Sequence, residues 1–179
     1  MSDEPTKKQL QVAALAGYPP EIGRCLWMLE DTRRRTQEAL KDLYPLIIDW
    51  HASDRDNTIG TLLYHIAAIE LDWLYAEVLE QPFPAELLAL FPYDVRDPQG
   101  RLTVVAGVSL ADHLNRLDLV RATLLAVFRT ITVEDFRRPS HLVDYDVTPE
   151  WVLHHLMQHE AGHRGEIGEM RRLAEQDIF

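Results

Sequence analysis

The sequence predicts an all-α protein, built as an up-down four-helix bundle with a long crossover in the middle of the chain. Four segments repeat apolar residues every three or four positions, the period of a helix with one buried face. The connections between them are rich in proline, glycine and aspartate, which favour loops. The last segment adds His155, His159 and His163, four residues apart, to its apolar face.

Length and composition indicate one domain spanning residues 1–179, with residues 1–18 as a loosely packed N-terminal arm. The net charge of −11 argues against nucleic acid as a partner, because phosphate backbones are bound by basic surfaces. No apolar run approaches the roughly 20 residues of a membrane span, so no membrane partner is expected. The single cysteine, Cys25, cannot form an intrachain disulfide and suits a reducing cytoplasm.

The first helix is predicted from Pro20 to about Leu43, because a proline pair opens it and an apolar stripe follows. Arg33 lies on that stripe. Its stem either packs along the core while the guanidinium reaches the edge, or the cation points inward near a pocket. Residues 44–57 break the pattern and form a connection.

The second helix is capped by Asn57 or Thr58 and is predicted to extend to about Glu80. Glu70 interrupts its apolar stripe, which is an unusual place for a carboxylate. His65 lies at the edge of the stripe. Because each helix of a bundle touches two neighbours, an edge position can still face the interior.

A crossover of residues 81–108 follows and includes a short helix from Ala85 to Leu90. The third helix begins at a capping box, in which Ser109 precedes Asp112 by three residues, and ends near Thr130.

Two polar side chains face inward from this third helix. Arg121 is expected to pair with Glu70, since a buried charge needs a partner. His113 is expected to be a core or rim histidine rather than a metal ligand. Residues 131–147 then return the chain to the last helix.

Thr148 caps the last helix, Pro149 occupies its first turn, and the apolar pattern continues to Leu173. The three stripe histidines lie where the core should be, and an unpaired buried imidazole is unfavourable. A divalent metal is a partner they can share, since histidines at i and i+4 converge on one ion. A packed layer of hydrogen-bonded histidines is the alternative. Beside this row, His65 is expected to be a further ligand.

The blocks NTIGTLLYHIAAIELDWLYAEVL and TPEWVLHHLMQHEAGHRGEI resemble the DinB/YfiT-like four-helix proteins of the DinB superfamily. The resemblance covers residues 17–173 and is strongest at His65 and at the His-x-x-x-His-Arg-Gly string that begins at His159. It implies that His65, His159 and His163 hold one divalent metal ion, which is zinc, nickel or iron-like.

The same resemblance gives His155 a place behind the ligands or as an alternate one. It also allows a homodimer. Glu166 stands where the family often has a glutamine, so this chain places an additional carboxylate near the site.

The string from His159 to His163 also reads HExxH, the zinc-binding motif of many metalloproteases. In such a protease Glu160 would be the general base, and a third ligand would lie further along the chain. No histidine follows His163. The upstream His65 and the helical context therefore favour the bundle.

Three neutral imidazoles leave a divalent ion at least one open coordination position, which is typical of catalytic sites. Such a site predicts an enzyme acting on a small molecule. The enzyme would either transfer a low-molecular-weight thiol, as the resemblance implies for some relatives, or hydrolyse a bond. Glu160 and Glu166 are the candidates for proton transfer. Arg33, Arg121 and Glu70 are the candidates for lining a substrate pocket.

A protein that binds metal without turnover, as a stress-response or interaction module, is the alternative to an enzyme. DNA binding is suggested only by the name of the family, and the acidic charge disfavours it.

Overall fold

The computed structural model describes residues 10–53 and 57–179, and it confirms the all-α class. The long helices are α1 (Pro20–Ala39), α2 (Ile59–Trp73), α4 (Leu110–Phe128) and α6 (Pro149–Ile178). The shorter elements are a 3-10 turn (Pro45–Ile47), a π-helical turn (Leu74–Val78), α3 (Ala85–Leu88), α5 (Val133–Arg137), β1 (Ser140–His141) and β2 (Asp146–Val147).

The predicted helix boundaries are close to the observed ones, with three differences. The first helix ends at Ala39 rather than near Leu43, and Asp42 then adopts a left-handed backbone with φ of 56°. The second helix reaches Val78 only through the π-helical turn that follows Trp73. The last helix extends past Leu173 to Ile178.

The segment of residues 131–147, predicted to be a plain connection, contains α5 and a small antiparallel hairpin. Ser140 pairs with Val147, and His141 pairs with Asp146. Elements of two to five residues are too short for a hydrophobic period to be read from sequence, which is why they were missed.

The four long helices form a ring with three closely packed sides and a fourth, between α1 and α4, that arginines bridge. α6 packs against α1 and α2, and α2 packs in turn against α4. Two arginines cross between α1 and α4: Arg33 donates from Nη1 to the carbonyl oxygen of Leu117, and Arg121 donates from Nη1 to that of Leu29. Within the described residues, no helix is long and apolar enough to cross a membrane.

The centre of this ring holds charges as well as apolar side chains. Arg33 (α1), Glu70 (α2), Arg121 (α4) and Glu160 (α6) are each at most 4% exposed. Each guanidinium contacts both carboxylates, at N–O distances of 2.7 to 3.2 Å. This charge cluster takes one residue from every long helix, so it fixes their relative registers. Burial alone would raise the pKa of Glu70, but Arg121 and Arg33 hold it below its ordinary value.

The predicted pairing of Arg121 with Glu70 is therefore confirmed. Of the two alternatives given for Arg33, the inward cation is correct. Neither guanidinium extends to the solvent. Each stays inside the core, because carboxylates on α2 and α6 lie within hydrogen-bond distance of it there.

The long crossover packs on α2 and is held there by polar contacts. The hydroxyl of Tyr64 donates to the carbonyl of Tyr93 at 2.7 Å, and the backbone N–H of Val105 donates to the hydroxyl of Thr61. Beneath it lies His113, which is 1% exposed and is not a member of the group of described residues that could hold a metal.

The ring of His113 has one satisfied nitrogen. Arg116 Nη1 lies 3.2 Å from Nδ1, and a guanidinium can only donate, so Nδ1 accepts and Nε2 carries the hydrogen. Nε2 is buried and has no hydrogen-bond partner among the described residues. Burial, reinforced by Arg116, lowers the pKa of His113 to about 4, so the ring is neutral at pH 7.

The part of the N-terminal arm that can be described is attached to the bundle. Leu15 donates its backbone N–H to the carbonyl of Gly23, and the hydroxyl of Tyr18 donates to the carbonyl of Leu125 on α4. Residues 1–9, which belong to the predicted loose arm, lie outside the described residues.

Replacing Arg121 by Met should destabilise the protein strongly. The change leaves Glu70 and Glu160 sharing one guanidinium inside the core, and breaking a buried ion pair from one side costs about 3–5 kcal/mol. Urea unfolding followed by circular dichroism measures the loss. Arg172→Met is the matched control, since Arg172 pairs with Glu169 at the surface and its loss should leave stability nearly unchanged. Equal effects of the two changes would show that the charge cluster does not hold the helices together.

The stability of the protein should fall on acidification partly through His113. Its pKa is lower in the folded than in the unfolded chain, so the unfolded chain binds the extra proton first, between about pH 6.5 and pH 4. The wild type should therefore lose on the order of 2 kcal/mol across this window that His113→Leu does not lose. Urea unfolding at several pH values measures the difference. His154→Ala, an exposed histidine, is the control; a pH-independent difference for His113→Leu would contradict the assignment.

Candidate metal centre

Three histidines from two helices meet inside the bundle. His65 on α2 and His159 on α6 approach with their Nε2 atoms 3.1 Å apart, and the Nε2 atoms of His159 and His163 are also 3.1 Å apart. One ligand nitrogen from each ring lies within 4.8 Å of the others. These are the three residues predicted from the sequence, and the structure brings them together.

The elements that carry them explain the convergence. His159 and His163 are one turn apart on α6, so their rings leave the same face of the helix. His65 lies on the part of α2 that packs against α6. The edge position predicted for His65 thus faces the neighbouring helix, and the ring is 6% exposed.

Burial keeps two of these rings, those of His65 and His159, neutral. It lowers the pKa of His65 to about 4 and that of His159 to about 3, and the neighbouring imidazoles add to both shifts. Only a neutral imidazole offers a lone pair to a metal, so these two rings are in the form that a metal requires at pH 7.

Hydrogen bonds alone do not satisfy the three rings. A neutral imidazole nitrogen carries either one hydrogen or one lone pair, so Nε2 of His159 can satisfy only one of its two neighbours. Three lone pairs directed at a single cation satisfy all of them. Nitrogens bound tetrahedrally to zinc at about 2.0–2.1 Å lie about 3.4 Å apart, close to the spacing found here. The three residues therefore fit a divalent metal.

Glu166 contacts one of the candidate ligands, His163, at its other ring nitrogen. Its Oε1 lies 3.0 Å from Nδ1 of His163, which is an ion-pair distance. Nδ1 of His163 has no hydrogen-bond partner among the described residues, so the contact is electrostatic. The negative charge beside Nδ1 favours a hydrogen on that nitrogen, which leaves the lone pair on Nε2, toward the other two histidines. Glu166 is half exposed and so can also meet a solute.

Glu160, the other predicted proton carrier, is placed differently. Both of its carboxylate oxygens accept hydrogen bonds from arginines, one from Arg33 at 2.9 Å and one from Arg121 at 3.2 Å. The carboxylate is 2% exposed. Proton transfer by Glu160 stays a prediction, and it would require one of these ion pairs to open.

The residues predicted to line a substrate pocket direct their charges inward. Arg33 and Arg121 each pair with Glu70 and Glu160 in the core. Arg33 and Arg121 also form the inner wall of a surface depression of about 280 Å³ between α1 and α4. Their guanidinium donors are directed to carboxylates and backbone carbonyls, so a role in holding a substrate stays a prediction.

His155 does not join the three-histidine group within the described residues. Its ring lies 5.9 Å from that of His159, 4.2 Å from that of Trp73, and stacks at 5.2 Å and 5° on that of Trp151. These two tryptophans were not singled out from the sequence. Trp151 could have been found from the sequence, because it continues the four-residue spacing of His155, His159 and His163.

Open space lies beside Glu166. A cleft of about 550 Å³ is lined by Trp50, Ala52, Asn57, Gly165, Glu166, Glu169, Met170 and Leu173. A cleft of this size accommodates a small molecule next to the carboxylate that contacts His163.

Fold and site together define an all-α bundle protein with a candidate three-histidine metal centre. The family model of the DinB superfamily matches residues 28–167, most of the chain. The chain therefore belongs to the DinB superfamily, as the sequence blocks predict. Among proteins with curated functions, none matches.

Two solved structures share the fold. A conserved protein from Enterococcus faecalis has a TM-score of 0.66 and 16% identity, with 83% of this chain and 94% of that chain covered. A protein from Streptococcus pneumoniae has a TM-score of 0.57 and 15% identity, with 88% of this chain and 92% of that chain covered. At these identities the likeness concerns the fold alone.

His159→Ala should abolish stoichiometric metal binding, because His159 is the ring that lies between the other two. The protein, purified without added metal and then loaded with zinc, is measured by elemental analysis after removal of free ions. His154→Ala is the control, since His154 is exposed on the same helix. Full occupancy in His159→Ala, with a fold shown intact by circular dichroism, would contradict the assignment.

Proposed function

We propose that this protein is a metal-dependent enzyme that binds one divalent ion, zinc, nickel or iron-like, through His65, His159 and His163. The convergence of three ring nitrogens within 4.8 Å of one another carries the proposal. Three protein ligands leave a coordination position free, which is the pattern of catalytic rather than structural sites.

We further propose transfer of a low-molecular-weight thiol to an electrophile as the reaction. The choice of a thiol comes from the resemblance to some DinB-like proteins, and the geometry is compatible with it. When bound, the ion supplies a positive charge that favours the deprotonated form of a thiol or of water.

Glu166 is the residue best placed to receive the proton of the entering thiol. It borders the cleft of about 550 Å³ and contacts His163. The thiol loses its proton to this carboxylate, its sulfur forms a bond to the electrophilic carbon, and the leaving group departs with its electron pair. The proton passes from Glu166 to the leaving group or to water. Hydrolysis follows the same scheme with water in place of the thiol.

A metal-binding module without turnover is the competing function. Glu166 distinguishes the two, because a binding module needs this carboxylate only to orient His163, whereas an enzyme also needs it to move a proton. A protease of the HExxH type is disfavoured, since the carboxylate of Glu160 is held by two arginines.

Protein loaded separately with zinc, nickel or ferrous ion should transfer thiols such as cysteine, glutathione or coenzyme A to a fluorogenic alkylating electrophile. Turnover should require the metal. Glu166→Gln should lower kcat by roughly a hundredfold, because general acid–base catalysis contributes about 10²–10⁴ in rate. An ester hydrolysis assay in parallel identifies the hydrolase.

Glu169→Gln is the matched control, since Glu169 borders the same cleft one turn further along α6 but pairs with Arg172. Its kcat should stay within about twofold of the wild type. If the protein binds a full equivalent of metal but turns over no thiol or ester, the enzyme hypothesis is wrong and the binding-module hypothesis is correct.

A further inference from the structure

A second pocket lies on the side of the metal centre away from Glu166. It has a volume of about 400 Å³ and is lined by Trp73, Tyr145, Asp146, Val147, Thr148 and Trp151. We call it the aromatic pocket. It forms where the β1–β2 hairpin and the first turn of α6 meet the end of α2.

Three aromatic rings border this pocket. The ring of Trp73 lies 6.4 Å from that of Tyr145 at an interplanar angle of 22°, and 5.4 Å from that of Trp151 at 35°. Trp151 is 47% and Tyr145 45% exposed, although both are large and largely apolar. Aromatic surface gathered in a concave place and left open to solvent is characteristic of a binding site.

The charge around these rings is negative. Asp146 borders the pocket, and the Tyr145 hydroxyl donates to Glu77 at 2.7 Å. This bond, together with burial and the charges of Glu77, Asp72 and Asp144, raises the pKa of Tyr145 to about 12. Among the residues that the structure describes, the lining includes no lysine or arginine. An anionic ligand would therefore be repelled.

Backbone geometry helps to place these groups. The helix of α2 ends at Trp73 and continues as the π-helical turn of Leu74–Val78, which contains Glu77. A π-helical turn adds a residue to the ordinary turn and re-aims the side chains that follow, and such turns are frequent at functional sites. Here the widened turn carries the carboxylate that holds the Tyr145 ring in place.

From these observations, we propose that the aromatic pocket binds an organic cation, a substituted ammonium group. The faces of indole and phenol rings carry negative potential and attract a cation that is large and weakly hydrated. A small metal cation would need several oxygen ligands, and the pocket offers one carboxylate among its lining side chains.

The position of the pocket makes this cation part of the substrate, an extension that rests on the proposed function. His155 stacks on Trp151 and contacts Trp73, and its ring lies 5.9 Å from that of the candidate ligand His159. None of the three histidines lines the aromatic pocket, so a molecule held there by its ammonium group would have to extend past the ring of His155 to reach them. The substrate class is therefore a small molecule with a positive group at one end and the reacting group at the other.

The four tryptophans make a direct test possible. Two of them, Trp73 and Trp151, border the pocket, and two, Trp27 and Trp50, do not. Choline is titrated into the metal-free protein while the four indole N–H signals are followed by ¹H–¹⁵N NMR. The Trp73 and Trp151 signals should shift and saturate, and the other two should stay. The neutral isostere 3,3-dimethylbutan-1-ol should need about tenfold higher concentration, the factor expected for a cation–π contribution of about 1.4 kcal/mol.

Trp151→Leu should weaken choline binding at least about fivefold by loss of one ring face. Trp27→Leu is the control and should leave it unchanged. Equal binding of the neutral isostere would overturn the proposal in favour of an apolar ligand. The absence of any shift would overturn it outright, as would pocket signals that respond to protein concentration rather than choline, which would indicate a second copy of the chain.

The test is independent of the metal. His159→Ala should still bind choline, because His159 does not border the aromatic pocket. Wild-type protein that binds choline but shows neither metal binding nor turnover would refute the proposed function and leave the pocket in place. Turnover without choline binding would do the reverse.

Discussion

The bundle depends on buried ion pairs that join its four long helices. Arg33, Glu70, Arg121 and Glu160 each come from a different helix, and every guanidinium contacts every carboxylate. Apolar stripes can slide by a turn and still bury comparable area, whereas this arrangement is satisfied in only one register. The candidate metal centre inherits that register, because Glu160 directly follows His159 and Glu70 lies five residues after His65.

The same cluster separates two possible uses of the HExxH letters. In a protease the glutamate of that motif faces the metal site as a general base. Here α6 directs Glu160 toward α1 and α4, where arginines hold both carboxylate oxygens. His159 and His163 lie on another side of the helix and face His65. The same HExxH sequence therefore has a different chemical role here, because the neighbouring helices determine which groups each of its side chains contacts.

Sequence reasoning found what depends on periodicity and spacing within one helix. The long helices, the row of histidines and the inward position of Arg121 all follow from counting residues around a helix. Once a bundle was assumed, the edge position of His65 was enough to predict that it faces the interior, because the neighbouring helix α6 lies on that side of α2. The α1–α4 arginine crossings, the hairpin and the aromatic pocket were not found. They depend on contacts between segments far apart in the chain, for which a single sequence carries no periodic signal.

The row of rings on α6 also explains why two pockets flank one centre. Residues four apart in a helix are rotated by about 40° from one another, so three such steps turn the row by about 120°. Trp151, at its start, therefore faces the hairpin, and His163, at its end, contacts Glu166, which borders the other cleft. His159 lies between them and points at His65 on α2. A strictly straight stripe would have buried the whole row against α2. The winding of the helix instead directs Trp151 to the aromatic pocket, His159 to α2 and His163 to Glu166.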